Sequence, residues 1–218
     1  MKLEAITENI FHLLFPTKRK LCFALMRFQE HFESPAFKGK FFTREEYQQW
    51  YTQNSIEGKR TGQFTYYKDW NGFNFPSHIL DPFYEGRFDP LMDEEGEVLK
   101  AFEKRKGALF YVIGTYNHGG QSILKHEIAH GLFHTNKEYQ TEVLRFMESI
   151  EPQLKEKLKQ KLLESGGYHP EVVIDETHAH LLADRDKLEE DWGIPDEETI
   201  PPHNQLEAIF KRYFPSQQ

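Results

Sequence analysis

The sequence predicts an α+β fold, mostly helical with a small mixed sheet, and three observations carry that prediction. Helix signals recur along the chain: a capping-box pair at Thr43 and Glu46, and long apolar-periodic stretches over 137–150, 152–165 and 170–184. Strand-like runs are few and short, the clearest being ALFYVIGTY at 108–116, β-branched and aromatic throughout. Length sets the scale: 218 residues suit one domain, 1–218, read as an aromatic-rich N-terminal lobe over 1–107 and a second lobe over 108–218.

Taken in order, residues 3–14 have the pattern of a short helix ended by Pro16, and Lys18, Arg19 and Lys20 read as a solvated turn. LCFALMRF at 21–28 reads as an apolar strand, with Pro35 closing the element. The Thr43 and Glu46 pair opens a helix to about residue 53, striped by Tyr47, Trp50 and Tyr51. Between 64 and 88 aromatics alternate with Asn71-Gly72, Pro76, Pro82 and Gly86, which predicts short strands or a packed loop. Those aromatics fit the packing of a small lobe better than a substrate groove. A helix over 93–105, acidic at its start and basic at its end, stops at Gly107. The strand at 108–116 then runs through Asn117-His118-Gly119-Gly120 into a helix over 121–134. Gly166 and Gly167 end the second of the long helices, and Pro170 opens the third, PEVVIDETHAHLLAD. The tail reads as a Pro-containing loop over 192–202 and a terminal helix to about Phe214.

Composition removes several function classes. A net charge of −8 gives no basic footprint for nucleic acid or an anionic membrane surface. Cys22 is the sole cysteine, so neither an internal disulfide nor a thiolate metal site can form, and a reducing compartment suits it. No basic segment followed by an apolar run of leader length opens the chain, and no apolar run spans a bilayer. A soluble, cytoplasmic protein is expected.

The stretch QSILKHEIAHGLFH, 121–134, concentrates the chemistry. His126 and His130 stand one helical turn apart and Glu127 lies between them, completing His-Glu-x-x-His, in which two imidazoles share a zinc ion and the carboxylate serves as general base. Seven of the 11 histidines fall between His118 and His180, which argues against a chance match. A catalytic zinc takes three protein ligands and leaves one position for water, so a third ligand is needed. His134 continues the stripe, but eight residues of helix place it about 12 Å from His126. It is expected to bond the last carbonyls of its helix instead. Position 136 is Asn, which excludes the pattern with a third histidine six residues after the second. Glu176 is the favoured ligand, because a bare carboxylate in that apolar stretch would be costly to bury. His180, Glu142 and Glu138 are the alternatives. Asp175 is rotated about 100° from Glu176, and His178 is expected to point elsewhere.

HEIAH at 126–130 with DETHAHL at 175–181 resembles the gluzincin branch of the zincin-like metallopeptidases, and more closely bacterial zincin-like proteins with a later DExxAxL helix. The similarity covers about residues 108–182. It implies a zincin-like fold whose sheet ends in an edge strand just before the motif helix, ready to pair with an extended peptide. It also implies His126, His130 and Glu176 as ligands of Zn2+, Glu127 as the base, and a peptide or protein substrate. The family places an aspartate four residues after the ligand glutamate, where this chain has His180. An oxyanion formed during hydrolysis needs a further donor, for which His180 and Tyr168 are favoured over His178 and Tyr116. The competing expectation is a metal-binding protein of the same fold with a binding or regulatory role and no turnover.

Overall fold

Four strands make one mixed sheet in the first half of the chain: β1 (Lys2–Ala5), β2 (Ile10–Phe15), β3 (Phe73–Pro76) and β4 (Tyr111–Tyr116), in the order β1-β2-β4-β3. β2 and β4 are parallel, and the outer pairs are antiparallel. This computed structural model describes residues 1–117, 121–164 and 168–215. The chain divides into two compact units, Met1–Gly119 and Gly120–Gln218.

The first unit corrects three expectations. Residues 3–14 form β1 and β2, not a helix: IFHLLF is a short apolar run buried on both faces, as a central parallel strand requires, whereas β1 is an exposed edge bearing Lys2 and Glu4. The run at 21–28 is helical and lies within α1 (Lys18–Glu33). A six-to-eight-residue apolar run cannot reveal by periodicity whether it is a strand or one part of a fully buried helix. Here nearly every residue from Leu21 onward is buried, and the basic cluster is the first turn, capped by Thr17 Oγ1 accepting from the Lys20 N–H at 3.2 Å. Finally, β4 is interior to the sheet, flanked by β2 and β3, so it presents no free edge to a peptide.

α1 closes directly onto β4 at Gly114. A Cβ there would stand 2.2 Å from Leu25 Cδ1 and 2.9 Å from Leu21 Cδ1, so the bare backbone is what lets helix and sheet approach. α2 (Arg44–Asn54) begins with the expected capping box: Thr43 Oγ1 accepts from the Glu46 N–H at 3.1 Å, and Glu46 Oε2 accepts from the Thr43 N–H at 2.7 Å. α3 (Ile56–Thr61) follows. The 64–88 region resolves into α4 (Tyr66–Asp69), β3, a 3-10 turn and α5 (Asp81–Tyr84). Its aromatics Tyr66, Phe73, Phe75, Phe83 and Phe88 are all buried, so they pack the core. α6 (Asp93–Phe102) and one 3-10 turn occupy the predicted helix, and Gly107 turns the chain at φ 81°.

The second unit is helical among the described residues: α7 (Gln121–Thr135), α8 (Lys137–Ser149), α9 (Pro152–Glu164), α10 (Val173–Ala183), α11 (Arg185–Glu190) and α12 (Asp196–Tyr213). The loop expected over 192–202 is shorter, because α12 already starts at Asp196 and continues through Pro201 and Pro202. Three acids in its first turn suit the helix dipole, and burial of Leu206, Ile209 and Phe210 holds the rest despite the two missing N–H donors. The expected turn at 118–120 and the glycine stop at 166–167 lie outside the described residues. Among the described residues no helix is long and apolar enough to cross a membrane.

One ion pair anchors the first unit. Arg27 on α1 and Glu95 on α6 are 2% and 1% exposed, joined by Nε–Oε1 at 2.7 Å and by a second bond from Nη2 to Oε2. Nη1 also donates to the Phe88 carbonyl at 2.9 Å and Nη2 to that of Pro90 at 3.3 Å. Removing one partner strands a buried charge. Glu95→Ala is therefore expected to destabilise the chain by about 3–5 kcal/mol in denaturant titration. A loss below about 1 kcal/mol, the level of an exposed pair, would contradict this account.

Candidate metal centre

Two helices of the second unit supply the site. α7 turns Ile128, Ala129 and Leu132 into the interior, and α10 does the same with Ala179, Leu181 and Leu182. Their polar residues are thereby set between them. Lys125 Nζ donates to the Leu182 carbonyl at 3.1 Å and pairs with Glu207, and His203 Nδ1 meets the Leu181 carbonyl at 2.9 Å, so α12 braces both.

Three of the predicted ligands converge. His126 Nε2 and His130 Nε2 are 3.1 Å apart, Glu176 Oε1 lies 3.6 Å from His130 Nε2, and Glu176 Oε2 lies 3.8 Å from His126 Nε2. His126, His130 and Glu176 offer ligand atoms all within 4.8 Å of one another. Two ligands on a tetrahedral zinc stand about 3.3 Å apart, so the spacing suits such an ion.

The far sides of the rings explain why they face this way. Asp184 Oδ2 lies 2.8 Å from His126 Nδ1, and Asp175 Oδ1 lies 2.9 Å from His130 Nδ1. A carboxylate at that distance favours a proton on each Nδ1, which turns the lone pair of the neutral ring to Nε2. In the neutral rings both Nε2 atoms then direct lone pairs at each other across 3.1 Å, with a carboxylate beside them. Glu176 Oε2 is buried with no hydrogen-bond partner. A shared cation satisfies all three groups at once, and the residues fit one. His126, His180 and Asp184 also have cation-like spacing, with the Nδ1 atoms of the two rings as the nitrogens nearest Asp184.

The electrostatics agree. Burial disfavours charged His126, yet Asp184, Glu176 and Glu127 together raise its pKa well above the ordinary imidazole value. For His130, burial is likewise outweighed by Asp175 and Glu176, and its pKa rises. Burial pushes the three carboxyl groups up, but the imidazoles win: His130 holds Asp175 well below the usual range, His126 and His180 hold Asp184 down, and His130 and His126 hold Glu176 down. His178 and His180 move the other way, their pKa values lowered chiefly by burial.

The remaining candidates find definite places. Glu127 is 5% exposed on α7, and its charge acts on His126. His134 Nε2 lies 3.0 Å from Asp175 Oδ2, in hydrogen-bond contact with a carboxylate of α10. His178 is fully buried, 3.3 Å through Nδ1 from Asp175 Oδ1, and packs on Phe133. His180 Nε2 is 3.9 Å from Glu176 Oε2, and Tyr168 sets its ring edge-on to that imidazole with centroids 6.3 Å apart. Glu142 is taken by Arg212 and by Tyr213 Oη at 2.7 Å, Glu138 is exposed, and Tyr116 belongs to β4 in the first unit.

Sequence reasoning missed the two aspartates. The rotation that set Asp175 aside is what carries it behind His130, where it gathers three imidazoles. The usable signal was chemical: each ligating histidine needs an acceptor for its second nitrogen, so acids flanking the ligand helix were the ones to test. Comparison of the chain with protein-family models, with curated proteins and with solved structures found no match.

Asp175→Ala is expected to weaken zinc binding by about 10–100-fold in chelator competition. Unchanged affinity would mean that His130 needs no orientation from behind.

Proposed function

We propose that this protein is a zinc-dependent hydrolase of peptide bonds, and the observation that carries the reading is the convergence of His126 Nε2, His130 Nε2 and a buried Glu176 oxygen that has no hydrogen-bond partner. His126, His130 and Glu176 would hold the ion, three protein ligands being the number a catalytic zinc takes. Zinc, when bound, acts as a Lewis acid toward a carbonyl and lowers the pKa of a water to about 7. Glu127, next to His126 and buried, takes the proton from the attacking water and returns it to the leaving amine. A structural site has no need of such a base. Tyr168 and His180, beside the ligand set, are the polar groups that meet the substrate. The resemblance of HEIAH and DETHAHL to the gluzincin pattern supports a zincin-like arrangement of α7 and α10. A cytoplasmic location belongs to the same reading, supported by the single, buried, unpaired Cys22.

A second reading, metal-dependent binding without turnover, is favoured by one observation: His180 Nε2 stands as a fourth potential ligand close to the set. Four protein ligands would close the site to water.

Glu127→Gln separates them. On the hydrolase reading the variant retains stoichiometric zinc and loses about 10²–10⁴-fold in cleavage of a peptide library. Zinc-loaded wild-type protein that cleaves no peptide in the library would favour the second reading, and purified protein that takes up no zinc would end both.

A further inference from the structure

Helices α8, α9 and α10 enclose a groove of about 370 Å³, a size that holds small organic ligands. Leu144 and Met147 of α8, Leu163 of α9, and Val173, Ile174 and Thr177 of α10 line it, joined by Glu148, Lys155 and Lys159. Lys155, Lys159 and Leu163 recur at four-residue spacing, so along α9 the lining passes from two amines to an apolar side chain. Thr177 Oγ1 donates to the Val173 carbonyl at 2.6 Å and asks the groove for no polar partner.

The apolar part of this lining is unusually open. Among the described residues of the second unit four large apolar side chains are exposed, and three of them, Leu144 at 37%, Leu163 at 37% and Ile174 at 49%, line this one groove. Exposed hydrophobes scattered singly are ordinary, whereas three gathered over one cavity mark a binding surface. The charge of the lining also runs against that of the chain: two amines face one carboxylate, Glu148, in a protein of net charge −8. Lys155 Nζ gives one hydrogen bond to the Glu148 carbonyl at 3.2 Å, and Lys159 Nζ stands 3.6 Å from Glu156 with both side chains at least half exposed. Such an exposed contact is worth little in water, and each ammonium has three protons, so both retain donors for an anion.

We propose that this groove binds a free fatty carboxylate, with its alkyl chain against Leu144, Leu163 and Ile174 and its carboxylate at Lys155 and Lys159. Charge selects the anion, and the size of the cavity suits a single chain. None of the proposed zinc ligands takes part, so the inference stands apart from the hydrolase reading.

Calorimetric titration of the full chain with dodecanoate, kept below its micelle concentration, tests it. The expected result is one-to-one binding, at least about 10-fold tighter than that of dodecyltrimethylammonium, which has the same chain and the opposite charge. Ile174→Glu weakens dodecanoate binding by about 10-fold, and Lys159→Glu by about 3-fold with the loss fading in high salt. Ile200→Glu, at the exposed apolar residue outside the groove, leaves binding unchanged. No binding, equal affinity for the cationic amphiphile, or equal losses in Ile174→Glu and Ile200→Glu would overturn the proposal. So would a dimer in sedimentation that Ile174→Glu dissociates, because a second copy of the chain would then be the occupant.

Discussion

Carboxylates behind imidazoles are the constraint on which the second unit depends. Asp175 and Asp184 stand against the outer nitrogens of His130 and His126, and the inner nitrogens face each other. The arrangement calls for positive charge between two imidazole nitrogens and a buried carboxylate oxygen. Raised imidazole pKa values at His126 and His130 express the same demand, a proton standing in for a cation.

Burial makes that demand strong. Asp175, Glu176 and Asp184 are all at or below 7% exposure in a unit whose helices otherwise bring leucine, valine and alanine inward. An isolated carboxylate there would cost several kcal/mol, so each is matched by imidazoles. Asp175 serves three of them, which ties the motif helix to α10 along its length and not only at the ligands. The first unit uses the same logic with different groups: Arg27 and Glu95 are buried together, with backbone carbonyls accepting the remaining guanidinium protons.

How much of this the sequence disclosed depended on the length over which a pattern could be averaged. α8, α9 and α10 were legible because amphipathic periodicity ran for three turns or more, and α2 because its capping box is a local chemical signature. β2 and the middle of α1 exchanged identities, since runs such as IFHLLF and LCFALMRF hold no polar residue at a spacing that would separate period 2 from period 3.6. The position of β4 inside the sheet depends on partners 35 residues or more away in sequence, which no local pattern reports. At the site, His126, His130 and Glu176 were readable because ligands follow a spacing rule. Asp184 was not, because a residue that orients a ligand need only reach its far nitrogen and can do so from a helix end.

Asp184 also makes α10 a measuring device. Glu176 near the start of the helix and Asp184 at its end both address His126, one on each side of the ring. The number of residues between them is therefore fixed by the width of an imidazole and the pitch of the helix. Inserting or deleting one residue in that interval would rotate the aspartate by about 100° and carry it off the histidine, even with every other residue unchanged. A change in the length of that interval is therefore a heavier perturbation than a substitution at Ile174, the exposed residue of α10.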